Sequence, residues 1–147
     1  QDKQLLPDDI EDAYPLTQLQ MGMLFHSEHT PESAVYHDIF SFHLQVPLDL
    51  DILSAVISQL IITHPILRTS FNLTSYSEPL QLVHKLFDVP LQVENIDNLS
   101  FDEQTKAVNA WIETEKSRHF DWLNSLLLRF HIHNRSAETF QFTLSFH

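Results

Sequence analysis

The sequence predicts an α/β chain built as a two-layer α+β sandwich, with helices packed on one face of a mixed sheet. Three observations carry that prediction. Stretches with apolar residues three and four apart alternate with stretches of strict period two. The final stretch reads as a hairpin with one apolar and one polar face. At 147 residues, 43% hydrophobic and 19% charged, the chain is long and apolar enough for one core and unlike a disordered acidic tail. Residues 1–147 are therefore taken as a single domain.

Each element has its own signal. Thr17-x-x-Gln20 is a capping box that opens a helix through about His26. Leu16, Leu19, Met23 and Leu24 can share one face of it, with Phe25 beside them, and Pro31 helps to close the region. Phe40, Phe42, Leu44 and Val46 alternate with Ser41, His43 and Gln45 in a strand that Pro47 stops. Asp49 or Asp51 caps a second helix, where Leu53, Val56, Ile57, Leu60 and Ile61 recur at helical spacing until Pro65. Leu67–Leu73 and Leu80–Leu86 read as strands that pair across residues 74–77. A shorter strand runs from Leu91 to Ile96. Ser100-x-x-Glu103 is a second capping box, and behind it Ala107, Val108, Trp111 and Ile112 give a third helix an apolar face. Leu126, Leu128, Phe130 and Ile132 then point one way and Arg129, His131 and His133 the other. After Asn134–Ala137, Phe140, Phe142, Leu144 and Phe146 alternate with Gln141, Thr143, Ser145 and His147. This last strand is expected as an unfinished sheet edge, as in a lobe of a larger unit.

Composition excludes several function classes. Without cysteine there is no disulfide framework, thiolate metal site or cysteine nucleophile. A single glycine, Gly22, rules out a glycine-rich phosphate loop. A formal charge of -12, from 8 basic and 20 acidic side chains, argues against a nucleic-acid partner. The first residues lack a signal-peptide pattern, and runs such as Leu60–Ile62 and Leu126–Leu128 are far too short to span a bilayer. A cytoplasmic setting without membrane contact is the expectation.

Ten histidines stand out for this length. His131 and His133 lie at i and i+2 of a strand, and His26 and His29 lie three apart near a helix end. Either pair can ligate a metal if a third ligand arrives from elsewhere. No H-x-x-x-H or H-E-x-x-H spacing is present, so both pairs are read as decorating a half-exposed face, with no metal expected. No serine sits in a G-x-S-x-G elbow. Asp8-Asp9 and Glu11-Asp12 read as a solvated face. Arg68 lies among apolar neighbours after Pro65 and needs a carboxylate or a surface outlet. A structural ion pair is the favoured reading, with a substrate clamp as the alternative.

At this point the residues carry a family pattern. The stretch Tyr14-Pro15-Leu16-Thr17-Gln18-Leu19-Gln20-Met21-Gly22-Met23-Leu24-Phe25-His26-Ser27 resembles the first core motif of condensation domains of nonribosomal peptide synthetases. It is most similar to the subtype whose donor carries a D-configured residue. His64-Pro65-Ile66-Leu67-Arg68-Thr69-Ser70-Phe71 resembles the second core motif. Phe120-Asp121 and Leu127-Leu128-Arg129-Phe130 are similar to the segment before the active site. Phe142–His147 is similar to the strand that leads into the family's His-His-x-x-x-Asp-Gly motif. Gln18, Thr63 and Leu126 depart from the usual proline, arginine and proline.

The resemblance implies the N-terminal lobe of a chloramphenicol acetyltransferase-like fold, in which two lobes enclose a tunnel. It implies that His147 is the first, structural histidine of the active-site motif, and that the second histidine, tied to peptide-bond formation, follows it. Arg68 would pair with that motif's aspartate, so the lobe alone is expected to leave Arg68 without its carboxylate. Tyr14, Pro15, Gln20, Gly22, Met23, Phe25, His26, His64, Leu67, Thr69 and Phe71 are the matched core-motif residues. The implied reaction is attack of an acceptor amine on a donor aminoacyl or peptidyl thioester. Both substrates arrive on phosphopantetheine arms of donor and acceptor carrier proteins, with no cofactor bound directly. The C-terminal lobe of the same domain is an implied partner, and the lobe alone is expected to be inactive. The alternatives are an epimerization-domain lobe, a non-catalytic carrier-protein interaction module and a histidine-based metal-binding domain.

Overall fold

A computed structural model of the chain describes residues 6–29, 36–85, 87–122 and 126–147, with the backbone alone at position 28. Pro31, and Leu86 as the end of the fourth strand, lie outside the described residues. The element order is β1 (Ile10–Pro15), α1 (Gln18–His29), β2 (Asp38–Leu44), α2 (Leu50–Thr63), β3 (Thr69–Asn72), β4 (Leu80–His84), β5 (Leu91–Asn95), α3 (Phe101–Lys116), β6 (Leu128–Ser136) and β7 (Thr139–Phe146). A short 3-10 helix, Pro65–Arg68, joins α2 to β3.

The helix starts follow their capping signals. The Asp49 side chain accepts the Ile52 N–H at 2.9 Å, which makes it the N-cap of α2. Glu103 accepts both the N–H and the hydroxyl of Ser100, at 2.9 and 2.6 Å. Gln20 accepts the N–H of Thr17 at 2.8 Å, and Thr17 accepts that of Gln20 at 3.2 Å. No described helix is long and apolar enough to cross a membrane.

The strands form two sheets. One has the order β1-β4-β3 and is antiparallel throughout; the other has the order β2-β7-β6-β5. In the second sheet β5 runs parallel to β6, while β2–β7 and β6–β7 are antiparallel, so the sheet is mixed. β7 is an inner strand of this sheet and not its edge. The reason is the alternation of β2. Phe40 and Phe42 fall opposite Leu144 and Phe142, so pairing extends the apolar face by one more strand.

The helices divide between the faces of the four-stranded sheet. Ile57 and Ile61 of α2 pack with Leu128 and Phe130, and Leu53, Phe142, Leu144 and Phe146 close around them. The opposite face lies under α3. Trp111 stacks on His131, and Glu115 accepts the Ser145 hydroxyl. His131, His133, Arg135, Gln141, Thr143 and Ser145 are thus buried, although their alternation reads as a wet face. The mixed α/β class is as the sequence predicts, but helices lie on both faces of this sheet and not on one, because period two shows only that two faces differ, not that one meets water. α3 carries polar groups that satisfy part of this face. Gln104 Nε2 donates to the carbonyls of Ile96 and Arg135, at 3.0 and 2.9 Å.

β1 has no counterpart in the sequence reading. Its acidic residues and terminal proline hide the pattern, and Ile10 alone is fully buried in it. Ile10 packs with Leu80 and Leu82 of β4 in a second, smaller core. Among its described side chains α1 buries only Leu24, while Leu19 and Phe25 stay exposed. Phe40, Phe42 and Leu44 of the edge strand β2 are also exposed.

Candidate functional site

The two sequence motifs meet on β4. Gln81 stands opposite Tyr14 of β1 on one side and Phe71 of β3 on the other. Its side chain donates to the Pro15 carbonyl at 3.3 Å and accepts from Gln20 Nε2 at 3.3 Å. β4 therefore holds the start of α1 and the end of the second motif in one register. Tyr14 is exposed and its hydroxyl donates to Asp12 at 2.7 Å, which raises the phenol pKa. Thr69 is buried and donates to the Pro65 carbonyl at 2.8 Å, closing the 3-10 turn. His64 is exposed; its N–H donates to the Leu60 carbonyl at 3.0 Å and ends α2. Leu67 packs against the main core. Met23 is half-buried, and His26 is exposed beside Phe25.

Arg68 is buried, with 9% of its side chain exposed. Nη1 donates to Glu11 Oε2 and to the His84 carbonyl, both at 2.6 Å. Its carboxylate is thus supplied within the chain by β1, from a residue that reads as solvated surface. Glu11 remains about half exposed, at 52%.

His147 is half-buried at the end of β7. Its Nε2 lies 3.0 Å from the Ser27 hydroxyl, 120 residues away at the far end of the first motif. Its N–H donates to the Leu127 carbonyl at 3.1 Å. Trp122, Tyr36 and Phe120 surround the ring edge to face, at centroid distances of 5.6, 6.4 and 6.5 Å. Burial, and secondarily the His37 imidazole, push the His147 pKa down, so the ring is neutral at pH 7. The second motif reaches the same place through the backbone, as the Phe71 N–H donates to the Trp122 carbonyl at 2.6 Å.

A buried ion pair stands behind this wall. Glu115 accepts from Arg129 Nη1 at 2.5 Å and from the Ser145 hydroxyl at 2.7 Å, with 2% of its side chain exposed. Arg129 also donates to the His119 carbonyl at 2.7 Å and lies 3.7 Å over the Phe120 ring. Phe120 meets His37 edge to face at 5.1 Å. Burial lowers the His37 pKa despite Glu115 nearby. Glu115, Tyr36 and Trp122 have no place in what the sequence predicts of the site, and Ser27 and Phe120 stand there only as members of motif segments. A signal for Glu115 exists, because Gln104, Val108, Trp111 and Glu115 recur at spacings of four, three and four.

His147 is thus a histidine held neutral among aromatic rings at the end of β7, in a mixed α/β chain with the chloramphenicol acetyltransferase-like fold. The chain belongs to the condensation-domain family: the profile described as Condensation domain matches residues 10–147. It is 36% identical over 130 residues to the AMB antimetabolite synthetase AmbE of Pseudomonas aeruginosa, covering 87% of this chain and 6% of that protein. It is 33% identical over 139 residues to a component of the mycosubtilin synthase of Bacillus subtilis, covering 95% of this chain and 5% of that one. Among solved structures, the starter condensation domain of rhizomide synthetase RzmA superposes with a TM-score of 0.81 at 14% identity, over 93% of this chain and 34% of that chain. A four-domain nonribosomal peptide synthetase bound to AMP and glycine superposes with a TM-score of 0.78 at 17% identity, over 97% of this chain and 10% of that chain. The chain thus spans about a third of the solved condensation domain and a few per cent of the curated synthetases it matches.

Proposed function

We propose that the chain is the N-terminal lobe of a condensation domain in a cytoplasmic nonribosomal peptide synthetase. The observation that carries this reading is the seat of His147, where Ser27 of the first motif meets the ring together with Trp122, whose carbonyl accepts the N–H of Phe71 of the second. In this reading His147 is a positioning residue. Its ring is fixed by Ser27 and the aromatic wall, and its neutral state adds no charge to the tunnel. The histidine that follows it in the motif would face the reacting atoms. The acceptor amine's lone pair attacks the donor thioester carbonyl, the C–N bond forms, and the C–S bond breaks. The amine proton leaves and the departing thiolate is protonated, so atoms and charge balance.

The substrates would be thioesters on the phosphopantetheine arms of donor and acceptor carrier proteins, with a D-configured donor. The second lobe of the domain would close the tunnel over His147. The test is a coupling assay on the two-lobed domain of the parent synthetase with loaded carrier proteins. The expected result is dipeptide product, with D-aminoacyl donor coupled faster than L, and none from the single lobe. Ser27→Ala should lower the rate without abolishing it, because it frees the His147 ring while leaving its backbone anchored. Exchange at the donor α-carbon without coupling would point to an epimerization domain. Carrier binding with neither reaction would point to an interaction module.

A further inference from the structure

His131 and His133 lie outside the seat of His147, and nothing in the coupling reaction uses them. They project from the same face of β6, and both are buried, at 6% and 0% exposure. Among the described residues, none of their four ring nitrogens has a hydrogen-bond partner. Two buried imidazoles with unpaired nitrogens are an uncompensated desolvation cost. A nearby group can resolve it. β5 runs parallel to β6 and places Glu94 opposite His133 and Gln92 opposite His131. Glu94 Oε2 lies 3.7 Å from His131 Nε2 and 3.6 Å from His133 Nε2. These separations are too long for hydrogen bonds. They are close to the edge of a tetrahedron with metal bonds of about 2.0–2.1 Å, which is roughly 3.3 Å. One ligand atom from each of the three residues fits within 4.8 Å of the others.

We infer that Glu94, His131 and His133 form a binding site for a divalent transition metal ion, Zn2+ by preference, between β5, β6 and α3. The donor set of two imidazoles and one carboxylate is that of zinc and its first-row neighbours rather than of calcium or magnesium. The imidazoles are ready to bind. Burial, with His133 alongside, pushes the His131 pKa down to about 4, and burial also lowers that of His133. Trp111 of α3 stacks on His131 at 4.2 Å between centroids and meets His133 edge to face at 5.8 Å, so the rings are held from above. The neighbouring cation on the same face, Arg135, is engaged by Gln104 Oε1 at 3.0 Å and lies over Phe101. Glu94 is 53% exposed, which gives the ion an entry path and leaves a fourth position for water. The ion would tie the edge strand β5 to β6 by side chains as well as by backbone. The sequence offers only the His-x-His pair; the third ligand comes from a strand paired in parallel, 37 residues earlier in the chain than His131.

The test uses the chain stripped with a chelator and titrated with ZnCl2 by calorimetry, with CoCl2 absorption as a report of coordination. The expected result is one Zn2+ per chain at micromolar or lower dissociation constant, a tetrahedral cobalt spectrum, and a rise in melting temperature with zinc. Glu94→Gln should weaken zinc at least tenfold and abolish the melting shift. Because Glu94 is on the surface, this variant should match the wild type in circular dichroism and in melting without metal. His133→Asn should abolish the cobalt spectrum, whereas His43→Asn, at an exposed histidine of β2, should leave the titration unchanged. The inference is overturned if the wild type takes up no zinc at one equivalent, or if Glu94→Gln and His133→Asn bind as the wild type does. Neither outcome bears on peptide coupling, so the proposed function stands or falls separately.

Discussion

Arg68 and Glu11 differ in what each leaves behind when removed. Arg68→Ala removes a buried side chain and leaves the His84 carbonyl without its donor. Glu11→Gln keeps an acceptor for a guanidinium that still has that carbonyl. Urea denaturation should therefore show a loss of about 2–3 kcal/mol for Arg68→Ala and about 1 kcal/mol for Glu11→Gln. Equal losses would place the energy in the pair itself. Gly22 makes a contrasting case. It lies inside α1 without a positive φ, and a Cβ built on it meets nothing within 4 Å. Gly22→Ala should raise the stability of the chain by roughly 0.5–1 kcal/mol, read as a higher urea midpoint. If the same change lowers coupling in the two-lobed domain, the glycine serves the reaction and not the lobe. Among single residues the sequence was informative where a motif named them, as with Arg68. It was silent on Glu115, whose partner Ser145 lies 30 residues away, and it placed Ser27 in the first motif without the partner 120 residues away.

At the scale of elements, α3 is the least conventional. Its inner stripe carries Gln104 and Glu115 beside Val108, and it lies on the polar face of the sheet. Glu115→Ala leaves Arg129 without its carboxylate and Ser145 without its acceptor. The expected loss is about 3 kcal/mol, with amide exchange on α3 accelerated before that on α2. Ser145→Ala should cost only about 1 kcal/mol, since Glu115 keeps Arg129. A larger loss for Ser145→Ala would contradict this order. Elements with strong local signals were legible: the Asp49 and Ser100–Glu103 caps start α2 and α3 as the sequence indicates. β1 was not, because its pairing with β4 and not its own pattern makes it a strand. The 3-10 turn replaces the start of the strand expected from Leu67, because Pro65 at its first position favours a helical turn.

The whole molecule should weaken in mild acid. Burial lowers the pKa of His37, His131, His133 and His147 from about 6.5. The unfolded chain then binds more protons than the folded chain once the pH falls below about 6.5. Stability is complete above that value and declines toward the folded pKa values, about 4 for His131. Urea midpoints in chelator at pH 7.5, 6.5, 5.5 and 4.5 should be level at first and then fall. A midpoint that holds steady to pH 4.5 would show that these rings are solvated in the folded chain. By itself the sequence determined the mixed α/β class, the alternation of helices and strands, the motifs and their family. Those follow from local spacing and from residue types that sit close together in the chain. Only the tertiary structure decided that α3 covers the polar face, that β7 is an inner strand, that Arg68 meets Glu11, and that Glu94 joins His131 and His133. Each of these depends on which strand lies beside which. Strand neighbours are fixed by long-range pairing and burial, for which no local pattern in a chain carries the information.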